Sequence, residues 1–157
     1  MAFVLAAYAE SPENYSITNL MAWVGVDIDT SNATNLPRRA SSSPGDAVLG
    51  ILRSFITNDC EDGFYHMSPA RRRRIAGAEN WESVPQSYLN EYANAPCDTN
   101  LCILSVSNLE TNGVEFALVL RLREMTALDS EESSARCLLL FTNDCWKIEG
   151  ISNVNEL

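Results

Sequence analysis

Residues 43–75 read SPGDAVLGILRSFITNDCEDGFYHMSPARRRRI, and their reading decides the fold. Ser43-Pro44-Gly45-Asp46 is a strong helix start. A serine can cap the free N–H groups, proline tolerates the first helical position, and an acid follows in the first turn. Val48, Ile51, Leu52, Phe55 and Ile56 then recur at offsets of 0, 3, 4, 7 and 8. That spacing is one face of an α-helix. The helix is expected to end near Thr57 to Asp59. Ser68-Pro69 opens a second, shorter helix by the same device. It carries Arg71 to Arg74 and ends near Gly77. Ser83-Val84-Pro85-Gln86 opens a third, with Val84, Tyr88, Leu89 and Tyr92 at helical spacing.

Beyond about residue 100 the period changes. LCILSVSNL (101–109) and VEFALVLRLREM (114–125) are β-rich, and Asn112-Gly113 between them signals a hairpin. In the second run Phe116, Leu118, Leu120 and Leu122 share one face, the expected inner one. ARCLLLF (135–141) and CWKIEGI (145–151) follow as two more strands. TNDC occurs at Thr57–Cys60, closing the long helix, and at Thr142–Cys145, between two strands. Asn and Asp suit both places because they tolerate left-handed backbone and bond their own main chain. The match is turn chemistry, not a repeat.

Upstream, residues 1–42 read as a separate extension, and residues 43–157 as the main domain. MAWVGVDI (21–28) is strand-like, and Thr30 to Pro44 reads as a loop. The start, MAFVLAAYAES, is apolar. It lacks the positive segment of a signal peptide, so a packed or irregular N-terminus is expected over a leader remnant.

The chain has 157 residues and a formal net charge of −10, with 46% hydrophobic residues. That length supports one core. The negative charge argues against nucleic acid as a partner, since such affinity comes from neutralising phosphates. Lys147 is the only lysine among 11 basic residues. No apolar run reaches the roughly 20 residues that span a membrane. The cytoplasm is favoured, with export the alternative. Five cysteines lack the paired spacing of zinc sites. Cys97 and Cys102 are close enough in sequence to close a small loop; buried thiols are the alternative. Asn14-Tyr15-Ser16 and Asn32-Ala33-Thr34 match the glycosylation pattern, which is too short to decide anything.

The order of elements, together with residues 43–75 and the ending Trp146-Lys147-Ile148-Glu149-Gly150-Ile151, resembles nuclear-transport-factor-2-like domains over about residues 43–152. The resemblance implies an α+β fold, a curved antiparallel sheet wrapped around a long N-terminal helix with two short helices, as a cone-shaped barrel. It implies a pocket at the wide end. Members of that family include ketosteroid isomerase-like enzymes, dehydratases, polyketide cyclases, transport adaptors and proteins of unknown activity, so fold does not fix function.

Candidate chemistry is sparse. His66 is the only histidine, so a metal site built on histidines is excluded. It could act as a base near neutral pH, and is otherwise an exposed residue at a helix mouth. Asp59, Glu61 and Asp62 read as a solvated turn. The apolar face of Phe116 to Leu122 carries no acid, which argues against isomerase chemistry. Arg71 to Arg74 fan around a helix and form no flat basic stripe. Tyr65, His66, Trp81, Tyr88 and Trp146 are the candidate lining of a ligand pocket; core packing is the alternative for the aromatic ones. No catalytic set, metal or cofactor is expected. The leading expectation is a protein that binds a small apolar molecule or a partner. The alternative is an isomerase, dehydratase or cyclase acting on a small apolar substrate. Cys137 to Phe141 is apolar at every position, so both faces of that strand are apolar. Ala117, Val119, Arg121, Leu139 and Phe141 are therefore the expected homodimer interface on the outer face of the sheet. Burial of that face by Trp23 and Val24 is the alternative. Leu52, Phe55, Phe116, Leu118, Leu120 and Ile148 are expected in the core.

Overall fold

The computed structural model describes residues 16–36, 38–39, 41–93, 100–126 and 128–154. The elements run as helix α1 (Thr18–Met21), strand β1 (Asp27–Ile28), a 3-10 turn (Ala33–Asn35), helices α2 (Pro44–Thr57), α3 (Cys60–Tyr65) and α4 (Pro69–Ala76), a second 3-10 turn (Trp81–Ser83), helix α5 (Gln86–Ala93), and strands β2 (Asn100–Thr111), β3 (Glu115–Met125), β4 (Ser130–Thr142) and β5 (Cys145–Asn153). The fold is α+β.

The caps explain the helices. Ser43 accepts the Asp46 N–H at the start of α2, behind Pro44, and Asn58 closes it at φ 56°. Ser68 accepts the Arg71 N–H at the start of α4, and Gly77 closes that helix at φ 75°. The second TNDC is a two-residue hairpin turn between β4 and β5, with Asn143 at φ 51° and Asp144 at φ 62°. Both central residues are left-handed, as a tight hairpin requires. Helix α3 was not legible: Asp59, expected in a turn, accepts the Asp62 N–H and starts a new helix. The strand-like stretch 21–28 forms only the two-residue β1 and a bridge from Val24 to Ile103.

The sheet has five strands in the order β1-β2-β3-β4-β5, and each neighbouring pair is antiparallel. It is open, with β1 and β5 as edges, so the expected closed cone-shaped barrel is not formed. Nor is α2 the first element, because α1 and β1 precede it. Leu20, Ile28, Ala33 and Leu36 belong to the same buried cluster as α2 and the inner sheet. The described part of residues 16–36 therefore builds the core. Trp23 and Val24 pack against that cluster too.

Register corrects the assignment of the β4 faces. Phe116 lies opposite Leu139, and Ala117 opposite Leu138. Directly paired residues share a face. Leu139 is thus inward with Phe116, at 0% exposure. Phe141 follows it in phase and packs on Trp146, ring centroids 5.3 Å apart. Neither belongs to an outer surface; Leu138 and Leu140 do. Leu52, Phe116, Leu118, Leu120 and Ile148 are buried as expected. Phe55 is not: it is 50% exposed. It sits in the apolar stripe of α2, but in the last turn, where the sheet leaves a gap beneath the helix.

Candidate functional site

The gap is a slot between one flank of α2 and the inner face of β3, β4 and β5, with a volume of about 60 Å³. Val48, Ile51, Leu52 and Phe55 form the helix wall. Leu120 and Leu122 from β3, Ala135 and Cys137 from β4, and Ile148 and Ile151 from β5 form the sheet wall. Every lining side chain is apolar except the Cys137 thiol. Burial pushes that thiol up to about 11, against the opposing influence of the Arg71 guanidinium. A thiol in that state is neutral at physiological pH and behaves as a small apolar group.

On another side of α2 the packing is closed and polar. Asp62 and His66, one turn apart on α3 and its C-cap, both have fully buried side chains, with His66 Nε2 3.4 Å from Asp62 Oδ1. Asp62 also accepts the Arg39 backbone N–H at 3.0 Å and faces Arg53 Nη1 at 3.4 Å. Arg53 bridges to Asp59, which Arg38 pairs at 3.0 Å. Burial alone would raise the Asp59 pKa; the hydrogen bonds from Arg38, the Asp62 N–H and Arg53 outweigh it, and the net shift is downward. The acidic cluster is therefore the anchor of three arginines, Arg38, Arg39 and Arg53, not a solvated turn. His66 is likewise no exposed helix-mouth residue. Its imidazole lies so close to Gly50 that a Cβ there would overlap the ring. This explains a glycine inside α2, which otherwise costs about 1 kcal/mol relative to alanine.

The five residues expected to line one pocket are dispersed. Tyr65 and Trp81 share a surface hollow of about 250 Å³ with Arg39, Phe64, Arg72 and Glu79. Its cations are already engaged. Arg72 donates to the carbonyls of Phe64, Tyr65 and Glu79, and Arg39 pairs with Glu61. Lys147, 8% exposed, donates to the Tyr65 carbonyl at 2.7 Å and lies 3.6 Å from its ring centroid. Burial lowers the Lys147 pKa to about 8. Tyr88 is buried in a small cluster with Phe64, Met67 and Ala76. Trp146 is buried in the main core, edge-on to Phe116 at 6.2 Å. With no exposed surface, His66 and Trp146 line none of these hollows. The Tyr92 side chain and Cys97 lie outside the described residues, as does the apolar start of the chain; Cys102 is a buried free thiol in β2. Among the described residues, no three His, Cys, Asp or Glu side chains gather as a metal-ligand set. No described helix is long and apolar enough to cross a membrane.

No protein-family model matches the chain, and no curated protein does. Among solved structures, the chain is similar to the solution structure of a SEC-C motif-containing protein from Rhodopseudomonas palustris, with a TM-score of 0.50 and 10% identity. The likeness covers 80% of this chain and 88% of that one. At that identity it speaks for the fold alone. The nuclear-transport-factor-2-like resemblance is overturned by this finding: the structural likeness is to a SEC-C motif protein, and none of the comparisons points to the expected family.

Proposed function

We propose that this is a non-catalytic binding protein that receives a small apolar group in the slot beneath α2. The observation that carries the reading is the lining: ten side chains from four elements, none charged, with the half-exposed Phe55 at the rim. Apolar cavities accept apolar guests, and an engineered one of roughly 150 Å³ holds benzene. The slot here is under half that size, which suits a short aliphatic group. Catalysis by an isomerase, dehydratase or cyclase finds less support. Such reactions need an acid or base with a pKa near the working pH, and the one heteroatom in the lining is the Cys137 thiol near 11.

Pentan-1-ol is the probe. Titration followed by two-dimensional 1H–15N NMR is expected to shift amides of Phe55, Leu122, Cys137 and Ile151 saturably. Ala135→Leu, which fills the slot, is expected to abolish the effect. Shifts scattered over the surface, or unchanged by Ala135→Leu, would overturn the reading.

A second reading, a homodimer through the outer sheet face, has its own support. Leu138 and Leu140 point outward beside Ala117 and Val119, and the charged Arg121, Arg136 and Glu110 border them. An apolar centre with a charged rim is the anatomy of an interface. Light scattering is expected to give twice 17.4 kDa, and Leu140→Asp a folded monomer. A mass of one chain at high micromolar concentration removes the dimer without touching the slot.

A further inference from the structure

The outer face of the sheet carries charges that a single chain leaves unmet. Glu110 on β2 and Leu138 on β4 both lie opposite Ala117. Over the small alanine side chain there is a hollow of about 220 Å³, with Glu115 and Arg136 also in its wall. Arg136 lies opposite Val119, and Glu115 opposite Leu140, so the two stand on either side of the Ala117 row. Val119 and Glu115 are 4 residues apart on β3, about 13 Å at roughly 3.3 Å per residue. That separation keeps Arg136 and Glu115 of one chain from meeting. On the same face Arg121 pairs with Glu132 and Arg123 with Asp27. Among the described residues, Arg136, Glu110 and Glu115 form no such ion pair. Glu115 accepts a hydrogen bond from Asn112 Nδ2 at 3.2 Å, which leaves its charge in place. Resting on the dimer reading above, we infer that two copies of this chain meet about a two-fold axis along the Ala117–Leu138 row, with Arg136 of each paired to the partner's Glu115. An axis there exchanges the two flanking rows, so the row holding Arg136 comes over the partner row holding Glu115. The patch is then complementary to itself, as an interface between identical surfaces demands. Ala117 and Leu138 meet their own mates at the apolar centre. Glu110 meets its mate as well, but it is exposed at the rim, where salt screens the repulsion. The net charge of −10 on each chain opposes association at long range, a field screened within about 8 Å at physiological salt. The local pairing therefore sets the register.

Charge reversal tests the register, read by analytical ultracentrifugation at physiological salt. Arg136→Glu sets like charges face to face in its own homodimer, and so does Glu115→Arg. Each variant is expected to dimerise at least about tenfold more weakly than the unaltered chain, because facing like charges is costly at an interface. An equal mixture of the two variants is expected to recover that loss, since each new charge then faces its opposite. A mixture that associates no more tightly than either variant alone would overturn the Arg136–Glu115 pairing and leave the dimer standing. An unaltered chain that stays monomeric at high micromolar concentration would overturn both. The unaltered dimer decides the question even if a variant fails to fold. NOE contacts between the Leu138 methyls of differently labelled copies are expected, and their absence would overturn the placement of the axis.

Discussion

Two flanks of helix α2 are built in opposite ways. Toward α3 the helix comes so close that Gly50 touches the His66 imidazole, and the space between is filled by buried Asp62 and the Arg53 guanidinium. Toward β3–β5 the same helix stands off, leaving an apolar slot and a half-exposed Phe55. Polar groups explain the contrast. A buried carboxylate is tolerable only when its partners are held in place, so that flank must be tight. Apolar side chains have no such directional demand, and a gap between them costs only lost packing. The tight flank holds the buried polar groups; the loose flank is where the proposed guest would enter.

Breaking the tight flank should have the largest effect. Asp62→Ala leaves Arg53 and the Arg39 N–H without their shared acceptor and removes the carboxylate 3.4 Å from His66 Nε2. It is expected to cost about 3–5 kcal/mol, the usual loss when one member of a buried ion pair is removed. Urea unfolding measures it, and a loss below about 1 kcal/mol would mean that the cluster is not buried as described.

The polar flank continues through Tyr65 to Lys147, and pH probes it there. The folded amine titrates near 8, below its ordinary 10.5. The folded state therefore binds fewer protons than the unfolded state between those values, and stability rises with pH across that window. Below pH 8 the full penalty is present, about 3 kcal/mol at 1.36 kcal/mol per unit. Relative to Lys147→Met, the unaltered protein should gain up to that amount between pH 8 and pH 10.5. A flat difference would show that Lys147 is hydrated.

Gly50→Ala sharpens the comparison from the helix side. The new methyl meets the His66 ring and must displace a fully buried group, for an expected loss of about 2–3 kcal/mol. On an open helix face the same change would stabilise by up to about 1 kcal/mol, so the sign of the effect is the readout. Phe55→Ala, on the loose flank, should cost only about 1 kcal/mol, because half of the ring is already in water. A loss of 3 kcal/mol or more, typical of a buried phenylalanine, would close the slot.

The sequence announced what depends on local chemistry. Ser43-Pro44 and Ser68-Pro69 marked two helix starts, and Asn58 and Asn143-Asp144 marked a helix end and a hairpin turn, because caps and turns are decided by a few neighbouring residues. Strand alternation separated Leu138 and Leu140 from Cys137, Leu139 and Phe141. It could not say which set faces inward, since that depends on pairing Phe116 with Leu139 across two strands. The buried Asp62–His66 pair was missed because acids in a turn are ordinarily solvated. One local signal pointed to it: Gly50, inside a helix, at a place where only close approach by another group justifies a glycine. The slot carried no signal of its own. Phe55 lies in the apolar stripe whether or not the sheet reaches it, and the distance from helix to sheet is set by side chains far apart in the chain.

The central claim is that α2 stands clear of the sheet on its Phe55 flank and tight on its His66 flank. Xenon, which enters dry apolar cavities, tests this directly. A crystal equilibrated under xenon pressure should show an atom among Ile51, Phe55, Leu122 and Ile151, and none beside Gly50 and His66. An empty slot, with Phe55 folded against Leu122 and Ile151, would contradict the account.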